Sequence, residues 1–443
     1  MKQPLSLTTD PIPRLIWRIA LSMSVGMFFN TMFNVVDTLC AGWLGTESLA
    51  ALSLSFPLYF VVFAMGSGIS QGTTALLANA LGAGHVAEAR RVFAQSLVFA
   101  TTAGVLLSIV GWLVAPGLFR LLGAEGSYLS TVLDYMHVIL AGGVFFLLPM
   151  ILNSALSAQG TTWVYRNFLI VGFVANIVLN PVLMWGWTGL PALGVAGIAL
   201  ATVLVQMGGG LFLWSHVSRA HYCRDLRRDD FKPDLQVLRR IAGQAIPAAL
   251  NMLTISLGVF VITWFVKHFG KEAVAATGIA TRVEQIVLMP AIGLNSAVLS
   301  IVGQNHGAGL PHRVREAWVT NVKIGAGLML LGGLLVWLLR DPAMKMFSQD
   351  PIVIGHGRNY LLSSSLTLAA YPILFVTVFA MQGIKQPAYG LWMGIYRQFA
   401  APVVVFHTLA FTLGWGLWGV WWGICIVTWS AALFALGWGW RKF

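Results

Sequence analysis

Long apolar runs, repeated from one end of the chain to the other, constrain this sequence more than any other feature. They fall at about 14–40, 48–78, 92–114, 129–156, 163–186, 194–216, 238–267, 273–303, 316–339, 353–381, 388–412 and 417–439. A helix that crosses a bilayer needs roughly 20 such residues. In hydrocarbon every backbone N–H and C=O must be satisfied within the protein, so runs of this length read as helices. Hydrophobic residues make up 58% of the 443 positions and charged residues 9%, against about 25% charged in a soluble domain. The expected fold is an all-α integral membrane protein of twelve transmembrane helices.

The net charge of +12 does not imply a nucleic-acid partner. The basic residues sit in short connections between apolar runs and form no stripe on a soluble face. With the N-terminus inside, one set of connections holds Lys2, Arg90, Arg91, Arg166 and the dense run from Arg219 to Arg240; the other holds only Arg120, Lys267, Lys271, Arg340 and Lys345. Positive-inside sorting then places both termini in the cytoplasm. Cys40, Cys223 and Cys425 are scattered without metal-ligand spacing. Met1–Pro13 is polar and runs into the first apolar segment without a small-residue cleavage site, so that segment is expected to be retained.

The chain repeats itself. Gly45-Thr-Glu47-Ser-Leu-Ala50-Ala51 recurs 225 positions later as Gly270-Lys-Glu272-Ala-Val-Ala275-Ala276. In the same ungapped register Gly68 meets Gly293, Gly82–Gly84 meets Gly307–Gly309, and Arg90 meets Arg315. Weaker echoes pair Gln159-Gly160 with Gln382-Gly383, and Gly194-x-x-Gly197 with Gly416-x-x-Gly419. An even-numbered, six-helix repeat keeps its orientation, so the two lobes are expected to be related by an axis along the membrane normal. The expected organisation is an N-lobe at 1–216, a cytoplasmic linker at 217–237 and a C-lobe at 238–443.

An ionisable group at membrane depth is a functional candidate. Asp37 stands near the outer end of the first run, with Asn30, Asn34 and Thr38 at helical spacing. The alternative is an interfacial Asp wetted from outside. On the fifth run Asn176 and Asn180 lie four residues apart and stack on one helix face, followed by Pro181, which frees the carbonyl of Ile177. Paired amides beside a freed carbonyl make a notch suited to a carboxyl side chain; inter-helix hydrogen-bond glue is the alternative reading. Tyr135 on the fourth run is placed to donate to Asp37 or to sit in an aromatic belt. In the second half, Arg282 and Glu284 point in different directions, and Glu284 either binds a cation or pairs with Arg282 or Arg397. Phe33, Asn34, Phe56, Tyr59 and Met150 are candidates to line an adaptable passenger cavity. No phosphate-binding Gly-x-x-x-x-Gly-Lys and no nucleophile with a convincing base occurs. The reading is therefore a carrier, with no catalytic residues and no bound metal or cofactor.

The doubled Gly-x-Glu-x-x-Ala-Ala element, Gly82-Ala-Gly84, Val302-Gly-Gln-Asn-x-Gly-Ala-Gly309 and Ala175-Asn-x-x-Leu-Asn-Pro181 together resemble the multidrug and toxic compound extrusion (MATE) family across nearly the whole chain. The resemblance is closest to its proton-coupled, DinF-like branch. It implies two pseudo-symmetric six-helix lobes and export of cationic or amphipathic drugs by antiport with H⁺ or Na⁺. Residue by residue it assigns ion coupling to Asp37, Asn176 and Asn180, with Tyr135 and Thr202 completing the network. The sodium-coupled NorM branch carries acids on its seventh and tenth helices. Here 251–265 and 361–383 contain none, and DinF-like relatives carry Asp where this chain has Asn180. One carboxylate among neutral amides favours H⁺, with Na⁺ as the alternative. The protein is expected in a bacterial inner membrane as a monomer, with the lipid bilayer and small drugs as its partners. Competing readings are a lipid-linked precursor flippase of the same superfamily and a membrane-embedded transferase. The flippase would need more helices and a basic cavity; the transferase would need a His/Asp or metal constellation.

Overall fold

A computed structural model describes residues 6–189 and 191–443; Lys2 lies outside them. The described residues form helices and connecting turns, with no strand among them. In chain order the helices are α1 (Ile12–Leu44), α2 (Thr46–Gly82), α3 (Val86–Leu121), α4 (Gly126–Ala141), α5 (Gly143–Ser157), α6 (Trp163–Trp185), α7 (Val195–Val217), α8 (Leu235–Val266), α9 (Lys271–Gly307), α10 (Pro311–Lys345), α11 (Pro351–Thr367), α12 (Ala370–Gly383), α13 (Ala388–Ile395), α14 (Ala401–Phe406) and α15 (Leu417–Lys442). Nine of them are individually long and apolar enough to cross a membrane. Two bent pairs, α4 with α5 and α11 with α12, each make one further span. The twelfth comprises α13, α14 and the π-helical turns Tyr396–Ala400 and His407–Thr412.

Both bent spans are the fourth of their half, and each bend has a cause. α4 and α5 meet at 46°, where a side chain on Gly142 would collide with Val203 and one on Gly143 with Ser108. The Ser108 hydroxyl donates to the carbonyl of Leu140, which the break leaves without its helical partner. α11 and α12 meet at 51°, just ahead of Pro372, which has no N–H to offer the carbonyl of Leu368. α1, by contrast, is one continuous 33-residue helix, with Pro13 in its first turn.

The chain packs as two compact units, Val25–Ala249 and Met1–Ser24 with Leu250–Phe443. The boundary falls inside α1 and inside α8. Within the first unit a Cβ on Gly68 would lie 2.5 Å from the backbone nitrogen of Ala249 and 2.7 Å from the carbonyl of Ala245. Within the second, a Cβ on Gly293 would collide with the carbonyl of Ala20. These are repeat-related contacts, since Gly68, Ala245 and Gly293, Ala20 all differ by the same 225 positions. The linker is also fixed within its unit. Gln95 of α3, fully buried, donates to the carbonyls of Asp230 and Lys232, both at 2.7 Å. Its carbonyl accepts from the backbone of Asp234 at 3.0 Å, and Arg90 pairs with Asp230 at 3.1 Å.

Candidate functional site

In the Val25–Ala249 unit, buried polar side chains from α1, α6 and α7 meet at one junction. α6 and α7 are drawn together by the loop between them. Leu193 and Gly194 donate backbone N–H groups to the carbonyls of Leu183 and Met184, both at 3.1 Å. Gly194 takes φ 54°, ψ −129°, a conformation open to glycine and strained for other residues. Gly197 then lies so close to α6 that a Cβ would stand 2.7 Å from the Leu183 carbonyl. Thr202, on the face of α7 two turns along, is thereby set beside the paired amides of α6.

Asp37 enters this junction from α1 and is 5% exposed. Its Oδ1 accepts from Asn176 Nδ2 at 2.9 Å and from Asn180 Nδ2 at 2.8 Å. Its Oδ2 accepts from the Thr202 hydroxyl at 3.1 Å. Asn180 Nδ2 also reaches Asn176 Oδ1 at 3.3 Å, and the hydroxyl of Thr202 is shared with the carbonyl of Ile198. The carboxylate therefore rests on three neutral donors, and among the described residues no Lys, Arg or His forms an ion pair with it. Asn180 Oδ1 is buried and has no hydrogen-bond partner among the described residues. An unfilled acceptor next to a carboxyl is a place for an added proton or a small cation.

The structure distributes the remaining candidates unevenly. Tyr135 is buried, and it and Tyr59 lie close enough to interact electrostatically with Asp37. Neither is among its hydrogen-bond donors. Tyr59 packs edge-on against Phe146 at 6.0 Å. Met150 lines α5 where its sulfur would touch a Cβ on Gly66. Phe33 packs into the apolar cluster around Phe168 and Leu169. Phe56 is 58% exposed. Asn34 and Thr38 are exposed and bond back to the carbonyls of Asn30 and Asn34 on their own helix; Asp37 alone of that group is turned into the junction.

Glu284 and Arg282 separate. Arg282 is exposed, whereas Glu284 is buried in the other unit, where Tyr360 donates to its Oε2 at 2.6 Å. Sequence reasoning did not reach Tyr360. The available signal was its position 225 residues after Tyr135. An apolar groove of about 270 Å³ lies between α6 and α7, lined by Phe168, Gly172, Leu179, Gly209 and Phe212.

The MatE family model matches the chain twice, over residues 23–182 and 247–406, one copy in each half. The FAD transporter of Shewanella oneidensis is 28% identical over 90% of this chain and 88% of its own length. The probable multidrug resistance protein YoeA of Bacillus subtilis is 27% identical over 88% of this chain and 93% of its own. A multidrug resistance MATE family transporter of the MOP superfamily, solved in an outward-facing conformation, superposes with a TM-score of 0.91 at 27% identity, over 100% of this chain and 98% of that one.

Proposed function

The chain belongs to the MATE family, whose members are membrane transporters and not enzymes, and on that premise we propose that it exports amphipathic, cationic compounds by antiport with protons through Asp37. The observation that carries the reading is a buried carboxylate held by three neutral donors and no base. A carboxylate paired to Arg or Lys would have its charge already cancelled. Here the charge is available to a passenger, and a proton removes it.

The steps follow from that arrangement. Ionised, Asp37 attracts a cationic passenger into the unit lined by Tyr59 and Tyr135. A proton taken from outside neutralises it, and the donors from Asn176, Asn180 and Thr202 lose their charged acceptor. The neutral carboxyl holds them more weakly and adds an O–H donor of its own, which rearranges α1 against α6 and α7 and weakens the hold on the passenger. Return of the proton to the inside restores the charge. Coupling needs only that proton and passenger favour different arrangements of these helices.

We further take the protein to be a monomer of the DinF-like, proton-coupled branch with both termini cytoplasmic. The coupling group and its partners all come from one chain, and the inner connections hold the basic excess. Sodium coupling is the second reading, and the partnerless Asn180 Oδ1 beside Asp37 is what favours it. Reconstitution in vesicles, with pH and sodium gradients imposed separately, decides between them. Uptake of a fluorescent cation should follow the pH gradient and vanish in Asp37→Asn. Full pH-driven export by that variant would refute the role given to Asp37, and export driven by sodium alone would transfer the role to Na⁺.

A further inference from the structure

Asp37 is not the only ionisable group at membrane depth. In the unit containing Leu250–Phe443, Glu284 of α9 is 6% exposed, with the 2.6 Å bond from Tyr360 as its support. Tyr360 is braced edge-on against Trp421 at 5.1 Å. Arg397 stands close by, in the π-helical turn Tyr396–Ala400. Its guanidinium lies over the rings of Tyr371 and Phe375, at 5.6 and 5.3 Å from their centroids. Those two rings stack on each other at 5.7 Å, 7° from parallel. Tyr371 stands between the charges and interacts with both.

Two features separate this cluster from a structural ion pair. Glu284 and Arg397 feel each other's charge, yet among the described residues no carboxylate forms an ion pair with Arg397. A pair kept only for stability would close to direct, forked contact. Aromatic faces compensate part of the guanidinium's charge, and the Tyr371 hydroxyl engages one of its N–H groups. Arg carries five donors and keeps its charge at every physiological pH. Both groups are set back from the surface, Arg397 less deeply than Glu284, so a passenger reaching the cluster meets the cation first. The π-helical turn is itself a distortion found often at functional positions.

We propose that Arg397 is an anion-binding group, taking a carboxylate or phosphate carried by an amphipathic passenger, with Glu284 as the countercharge that steadies the guanidinium while the site is empty. This rests on the export reading and extends its substrate class to zwitterionic and anionic amphiphiles. When an anion engages the free edge of Arg397, the Tyr360 bond keeps Glu284 satisfied, so loading the site strands no buried acceptor.

The test compares one aromatic cation with its carboxylate free or blocked, rhodamine B and its ethyl ester, binding to the purified full chain in neutral-lipid nanodiscs. Fluorescence anisotropy gives the affinities. Arg397→Gln should weaken the free acid about tenfold or more and leave the ester within about twofold. Arg397→Lys, which keeps the charge and loses the fork, should fall between, and Glu284→Gln should tighten the free acid. Ester binding reports that each variant is folded, and Arg397→Lys serves if the glutamine variant is not. Failure of the wild type to bind the free acid, or equal loss of both probes in the Arg397 variants, overturns the proposal. No ion gradient enters the measurement, so a failure of proton-driven export would overturn the antiport reading without touching this one.

Discussion

Thr202→Val tests the coupling site without removing the acid. The two side chains have nearly the same shape, and the change deletes one hydroxyl. Among the described residues that hydroxyl is the one hydrogen-bond donor to Asp37 Oδ2, at 3.1 Å, because Asn176 and Asn180 both donate to Oδ1. A hydrogen bond to a charged group contributes about 1.5–3 kcal/mol. This one belongs at the low end, since its length is moderate and the hydroxyl is shared with the carbonyl of Ile198 at 3.1 Å. About 1.4 kcal/mol is a factor of ten in an equilibrium constant. The donor supports the ionised form of Asp37 more strongly than the neutral one, so its loss favours the protonated form. Protons should then displace a bound cation at about one-tenth the concentration, and the release midpoint should move about one pH unit upward. Equilibrium displacement of a fluorescent cation from purified protein, titrated with acid, reads this directly. A midpoint that stays in place or moves to lower pH would falsify the assignment of Thr202 as a donor to the coupling carboxylate.

Packing and linker predictions accompany it. Gly68→Ala should lower thermal stability in detergent by about 1–3 kcal/mol, because the methyl would press on the backbone of Ala245 and Ala249. Gly117→Ala, where nothing lies within 4 Å, should be neutral or stabilising, and equal melting of both variants would count against the close approach. Gln95→Leu strands three backbone groups of the linker, so protease cutting between Arg219 and Asp234 should speed up severalfold while the helices stay protected.

The spans were legible because apolar length is a one-dimensional signal, and each predicted run lies on a helix or on consecutive helical segments. Asn176 and Asn180 were legible for a similar reason, since i and i+4 on a helix fixes a shared face. The contacts were harder. The spacing of Asn30, Asn34, Asp37 and Thr38 puts them on one helix face, yet a polar side chain on an apolar helix can satisfy itself on the carbonyl one turn back. Asn34 and Thr38 do so. Only the carboxylate, which cannot donate when ionised, has to find partners on another helix. Thr202 followed from family resemblance alone, because its placement depends on the close approach at Gly197, a three-dimensional fact.

The repeat explains why the two halves share a frame and differ in chemistry. At the offset of 225 that holds through the first four spans, Tyr135 corresponds to Tyr360, Tyr59 to Glu284 and Asp37 to Ile262. In one unit the acid stands on α1, within electrostatic reach of Tyr59 and Tyr135. In the other, the position of that acid is apolar, and a carboxylate has taken the place of Tyr59, bonded by the counterpart of Tyr135. The glycine contacts carry across intact: Gly194 and Gly416 adopt nearly the same strained backbone, φ 54° and 56°, and Gly68 and Gly293 meet equivalent helices. Backbone approach tolerates no added atom, so it stays fixed in both copies. A buried acid needs only donors within reach, so it can move from one helix to the next while its tyrosine stays, and two units of one design can then hold different charges.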